Sequence, residues 1–71
     1  MEKGTVVSWS KQNGYGFIEP DNGDEDVFAH ESEIIARPAE RVLYPTQRVQ
    51  FEAHPQPGKK NRRATAIKAL D

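Results

Sequence analysis

The chain has 71 residues, no cysteine and a formal net charge of −1, and charged residues make up 30% of it. A chain this short forms one domain with a small core, which argues against a deep enzymatic cleft. The absence of cysteine excludes disulfides and thiolate metal sites. We expect a single cytoplasmic domain over residues 1–71 that does not enter a membrane, because no stretch approaches the ~20 apolar residues of a span.

The charges are unevenly distributed along the sequence. Residues 19–33 carry seven acids and no base, whereas residues 34–71 carry eight bases and three acids. Clustered charge creates a local potential that the net charge conceals, so a basic patch for a polyanion is compatible with an acidic total. Solvated turns are the alternative interpretation.

The first predicted elements are two strands joined by a tight turn. Residues 4–10 are rich in residues that favour strands, and Gln12-Asn13-Gly14 offers the chemistry of a hairpin turn. In the strand that follows, Tyr15 and Phe17 share one face because side chains alternate along a strand. Ile18 points to the other face.

A second turn, Pro20-Asp21-Asn22-Gly23, leads to a third strand that begins near Asp26. Over residues 27–30 the alternation places Phe28 and His30 on one face and their smaller neighbours on the other. Two neighbouring strands therefore each present two planar side chains.

The clearest strand covers residues 48–54. Its strict alternation directs Val49, Phe51 and Ala53 to a core and the intervening polar residues to water. The segment Pro55-Gln56-Pro57-Gly58 ends it, because proline cannot donate to the ladder and glycine permits a turn.

Two remaining segments are less regular. We expect Ile34 and Ile35 to seat a short helical turn on the core, while Arg37-Pro38 and Tyr44-Pro45 oppose a long element there. Residues 62–70 have helix-favouring propensities, yet we predict a strand, because a fifth strand closes the sheet and removes its exposed edge. The fold predicted is an all-β, five-stranded antiparallel barrel.

Two motifs resemble those of the cold-shock domain. Asn13-Gly14-Tyr15-Gly16-Phe17-Ile18 and Val27-Phe28-Ala29-His30-Glu31-Ser32 match the family's two ribonucleoprotein motifs in order and spacing, and the resemblance covers nearly the whole chain. It implies an OB-fold barrel that binds single-stranded RNA or DNA on an aromatic face, with low sequence specificity and a role like that of an RNA chaperone. Stacking on rings tolerates any base, since every base has a π-face. The alternative, that these aromatic residues form the core, is disfavoured because small apolar residues already occupy the opposite face.

Several positions depart from the family pattern. Ser8 stands where the family has a stacking tryptophan, and Trp9 reaches bases only if a β-bulge re-aims it, because a one-residue shift along a strand changes face. The alternative is that Trp9 serves mainly in packing; we place it among the binding residues because its indole N–H is hard to satisfy in so small a core. Glu31 and Ala39 replace aromatic residues of the family, so we expect weakened binding to short oligonucleotides.

Basic side chains around the last turn offer contacts to phosphates, with the salt dependence that counterion release dictates. Arg37 and Arg41, in the long loop, have weaker claims to such contacts. The candidate nucleic-acid-binding residues are Trp9, Lys11, Tyr15, Phe17, Phe28, His30, Lys59, Lys60, Arg62 and Arg63.

Other site chemistries find little support. His30 and His54 lie far apart without cysteine or helical spacing, and the acids of residues 21–26 lack the spacing of a calcium loop. No serine or lysine lies in a recognisable nucleophile setting, so we predict no catalysis, no metal, no cofactor and no small-molecule substrate. The alternative function is a protein-interaction module that keeps the barrel with weakened nucleic-acid affinity. The oligomeric state is open, with a monomer favoured.

Overall fold

A computed structural model describes residues 1–35 and 41–70, and Arg37, Pro38 and Ala39 of the predicted loop lie outside this part. The described residues form five strands and one short 3₁₀ turn, which spans Glu31–Glu33. The strands are β1 (Glu2–Ser10), β2 (Tyr15–Pro20), β3 (Val27–His30), β4 (Arg48–His54) and β5 (Arg63–Ala69).

The strands form a closed barrel in the order β1-β2-β3-β5-β4, in which β4 pairs again with β1. Neighbours are antiparallel except β3 and β5, which run parallel. This arrangement is that of the OB-fold. The prediction of a five-stranded OB-fold barrel is confirmed, including the strand assigned to the last segment against its helical propensity.

The core lies inside the barrel and follows from the alternation of each strand. Val49 and Phe51 of β4 are fully buried, and Ala53 packs against the core, as predicted. The other buried hydrophobic residues are Val6, Ile18, Val27, Ala29, Ile34, Leu43, Ala64 and Ile67.

The residues after the 3₁₀ turn differ in part from expectation. Ile34 is buried and bridges to Ile67 of β5, but Ile35 is 61% exposed. Ile34 has extended dihedral angles (φ −82°, ψ 124°), so the chain leaves the turn as a strand-like segment and successive side chains point to opposite sides. The expectation that both isoleucines pack on the core is therefore wrong for Ile35.

Candidate nucleic-acid interface

Four planar side chains form one surface on the outside of β2 and β3. Tyr15 stands opposite His30 in the register of the two strands, and Phe17 stands opposite Phe28. The centroid of the Phe28 ring lies 5.7 Å from that of Tyr15, 6.0 Å from that of Phe17 and 6.5 Å from that of His30. We call these four residues the aromatic platform. Phe28 is its centre, because it takes part in each of these contacts.

The platform is separate from the hydrophobic core. Ile18, Val27 and Ala29 alternate with the platform residues along β2 and β3 and are fully buried on the inner face. The rings therefore remain available on the outer face, where Tyr15 is 39% exposed. The alternation predicted for both strands places the four side chains together as expected.

The imidazole of His30 is held by the chain that follows it. Its Nδ1 accepts a hydrogen bond from the backbone N–H of Ser32 at 3.1 Å and lies 2.9 Å from the Ser32 hydroxyl. Because Nδ1 accepts, the proton of the neutral ring lies on Nε2. The platform thus carries a hydrogen-bond donor at the end formed by His30 and Tyr15.

The indole of Trp9 lies on the inner side of the sheet, apart from the platform. A bulge between Val6 and Ser8 places Ser8 opposite Phe17 and Trp9 opposite Gly16. A Cβ on Gly16 would overlap the carbonyl oxygen of Ser8 and lie 2.8 Å from both Cα and Cε3 of Trp9, so only glycine allows this close approach of the two strands and the indole. Its Nε1 is buried and has no hydrogen-bond partner in the described part of the chain. The bulge that could have aimed Trp9 outward instead directs it inward.

A turn between β4 and β5 borders the platform with basic and amide groups. Asn61 donates to the carbonyl of Asp26 at 2.7 Å, and Gln56 donates to the carbonyl of Asn61 at 3.0 Å, which fixes the turn against β3. A cleft of about 180 Å³ is lined by Phe17, Phe28, Gln56, Lys59, Lys60 and Asn61. The structure thus brings both predicted lysines to the platform.

The two neighbouring arginines are engaged in ion pairs with this chain's own carboxylates. Arg62 donates to both oxygens of Glu2 at 2.9 and 3.2 Å and lies 3.6 Å from Asp24. The hydrogen bonds to Glu2 raise the pKa of Arg62 further above its ordinary value. Arg63 lies over Phe28 and donates to Glu33 at 3.2 Å.

The remaining candidate, Lys11, is exposed in the turn between β1 and β2, at the Tyr15 end of the platform. In the same region the side chain of Glu31 folds over Gly14, whose φ is +74°. A Cβ on Gly14 would lie 2.7 Å from Cδ of Glu31. A carboxylate therefore borders this end of the platform. The other end is bordered by the turn between β4 and β5, which carries Lys59 and Lys60 and which we call the lysine turn.

Sequence reasoning missed Gln56, Asn61 and Glu33. The bond from Asn61 to Asp26 spans 35 residues and the pair of Arg63 with Glu33 spans 30, so no local pattern indicates either contact. Among the described residues, no group of three or more histidine or acidic side chains is placed to hold a metal ion. Within the same residues, no helix is long and apolar enough to cross a membrane.

Fold and surface together define a class of protein: a small OB-fold barrel with an exposed aromatic platform and a basic rim. Residues 2–70 match the family described as "'Cold-shock' DNA-binding domain". The chain belongs to the cold-shock domain family, which is a nucleic-acid-binding and non-enzymatic family, and membership implies binding of nucleic acid.

Individual relatives agree with this assignment. The chain is 47% identical over 57 residues to "Cold shock-like protein CspD" of Escherichia coli (strain K12), covering 80% of this chain and 76% of that protein. It is 39% identical over 70 residues to "Probable cold shock protein A" of Mycobacterium tuberculosis (strain ATCC 25618 / H37Rv), covering 99% of this chain and 100% of that protein.

A solved structure titled "drosophila Unr CSD456" superposes with a TM-score of 0.76 at 24% sequence identity. The match covers 99% of this chain and 26% of the solved chain, so this chain spans about a quarter of that structure. At this level of identity the similarity concerns the fold.

Proposed function

We propose that this protein binds single-stranded RNA or DNA with low sequence specificity by stacking bases on the aromatic platform. The observation that carries the proposal is the contiguous set of rings at Tyr15, Phe17, Phe28 and His30, with centroids 5.7 to 6.5 Å from that of Phe28, outside the core. Bases in a single strand can reach such a surface, and each stacked base contributes about 1–3 kcal/mol. A protein that holds unpaired strands in this way acts like an RNA chaperone.

The lysine turn supplies the electrostatic part of the proposal. Lys59 and Lys60 are exposed beside Phe17 and Phe28, and each phosphate that they neutralise releases a counterion. Arg62 contributes less than the sequence suggests, because its guanidinium is engaged by Glu2. We therefore expect binding that weakens with salt through the lysines above all.

The proposal is tested by titrating the protein with oligothymidine and oligouridine of about 8 nucleotides, within the ~4–16 that one OB-fold occupies. Backbone amide shifts, followed at low and high salt, should change most along β2, β3 and the lysine turn. A duplex of the same length serves as the control ligand. Absence of binding to either single strand at low salt would favour the alternative, a protein-interaction module.

A pair of charge-matched variants isolates the lysine turn. Lys60→Ala should reduce the slope of log K against log[salt] by about 0.7, the value for one phosphate of a single strand. Lys68→Ala removes the same charge from an exposed position on β5 that does not line the cleft, and it should leave the slope unchanged. Equal slopes for the two variants would show that Lys60 does not contact a phosphate.

A further inference from the structure

Arg63 occupies a place on the platform that no other basic residue in the described part of the chain shares. It stands opposite Phe28 in the parallel register of β3 and β5, and its guanidinium carbon lies 5.8 Å from the centroid of the Phe28 ring. This distance is within the range of a cation–π contact. Because Phe28 is the centre of the platform, Arg63 extends the platform from that centre toward β5.

The carboxylate of Glu33 holds the guanidinium by one edge. Nη2 of Arg63 donates to Oε2 of Glu33 at 3.2 Å, and the two side chains are 36% and 29% exposed. The N–H bonds of a guanidinium lie in its plane, so this ion pair uses an edge and does not itself cover either face. Cζ of Arg63 lies over the Phe28 ring, and the exposed part of the side chain is open to a ligand.

The negative charge of Glu33 also weakens the attraction between Arg63 and a phosphate. A guanidinium paired with a carboxylate attracts a phosphate less than a solvated ammonium group does. Lys59 has no ion-pair partner within residues 1–35 and 41–70, and Lys60 has one contact there, at 3.9 Å from Glu25. Phosphates are therefore drawn to the lysine turn in preference to Arg63.

We propose that Arg63 is a stacking residue of the interface and that Glu33 is its positioning residue. In this arrangement a base lies against the face of the guanidinium that is turned away from Phe28, so the platform has a fifth planar member. Bases stack on arginine planes as they do on aromatic rings. The inference rests on the proposed function and assigns Arg63 a contact to a base in place of a phosphate.

The charge-conserving variant Arg63→Lys separates the two roles, because it keeps the positive charge and removes the plane. Its dissociation constant for oligothymidine should rise about five- to tenfold, the lower part of the range for one stacking contact. The rise should be the same at every salt concentration, with an unchanged slope of log K against log[salt]. Lys60→Ala, which changes the slope, is the contrasting variant.

The role of Glu33 is tested by Glu33→Gln, which removes the neutralising charge and leaves only a neutral acceptor for the guanidinium. The slope should become steeper by about 0.7, because Arg63 is then released to a phosphate. Glu52→Gln makes the same change of charge at an exposed position on β4 and should leave the slope as it is. Thermal unfolding of each variant checks that the barrel is intact.

The possible failures are distinguishable. If the wild-type protein binds no single strand, the proposed function fails and the inference falls with it. If the wild type binds, and Arg63→Lys binds equally well while Arg63→Ala reduces the slope, Arg63 contacts a phosphate and the inference is overturned. If Glu33→Gln leaves the slope of the wild type unchanged, Glu33 does not position Arg63.

Discussion

Substitutions of two phenylalanines on opposite sides of the sheet distinguish a loss of binding affinity from a loss of stability. Phe28 is half-buried at the centre of the platform, whereas Phe51 is fully buried in the core. Phe28→Ala should weaken binding of oligothymidine about 5- to 150-fold, the equivalent of one stacking contact of about 1–3 kcal/mol. Phe51→Leu should leave binding by the folded protein unchanged.

The two substitutions are expected to cost similar stability, which makes them matched controls for each other. Phe28→Ala loses ring contacts to Tyr15, Phe17 and His30 that contribute about 0.5–1.5 kcal/mol each when well packed, and its partial exposure reduces the sum to about 1–2 kcal/mol. Phe51→Leu removes buried carbon atoms and leaves a small cavity, at a cost of about 1–2 kcal/mol. Both variants should unfold about 4–16 °C below the wild type.

The assay combines thermal unfolding by circular dichroism with fluorescence anisotropy of a labelled oligothymidine at a temperature where all three proteins are folded. The reasoning is refuted if the two variants lose affinity in proportion to their loss of stability, because the platform would then act only through the fold. It is also refuted if Phe28→Ala binds within about twofold of the wild type.

Three further predictions concern stability. Hydrogen bonds from Arg48 hold the pKa of Asp21 below its ordinary value, so this pair stabilises the fold above that value and ceases to do so as pH falls through the lowered pKa. Denaturant unfolding of Asp21→Asn should therefore show a deficit at neutral pH that disappears in acid, and a deficit independent of pH would contradict this. Thr46 has a φ of 74°, a conformation that costs a β-branched residue about 1–2 kcal/mol. Because glycine adopts this conformation without strain but gains entropy in the unfolded chain, Thr46→Gly should raise the free energy of unfolding by about 0.5–1 kcal/mol. A melting temperature below that of the wild type would refute this. Arg62→Gln should reduce stability by about 1 kcal/mol while leaving the salt slope of binding unchanged, and a reduced slope would place Arg62 on a phosphate instead.

Local patterns in the sequence are sufficient to predict the platform and the first four strands. The period of two places Phe28 and His30 together without knowledge of any distant contact. The fifth strand requires a second argument, since the propensity of its residues favours a helix. Its prediction succeeded because an open sheet edge is costly and the last segment is the one available to cover it.

The features that were not predicted depend on register and on distant partners. The bulge between Val6 and Ser8 determines the face of the sheet on which Trp9 lies. A bulge moves every later side chain of the strand to the opposite face, and no distinctive sequence motif marks its position. The ion pair of Arg62 with Glu2 joins residues 60 positions apart. A basic residue that the sequence suggests as a phosphate ligand can therefore already form an ion pair within the protein, and only the tertiary structure shows that partner.

The short parallel pairing of β3 with β5, which we call the seam, is the place where we expect the barrel to open first. In the described part of the chain, the register of the two strands contains the single pair Phe28 and Arg63, supplemented by the bridge of Ile34 with Ile67. A short seam between segments distant in sequence is where local unfolding costs least, so the amide of Phe28, bonded to the carbonyl of Arg62 at 2.8 Å, should exchange with solvent early. A ligand that touches both Phe28 and Arg63 lies across this seam. We therefore expect a ligand bound in this way to slow solvent exchange at the Phe28 amide, so that exchange there reports ligand binding.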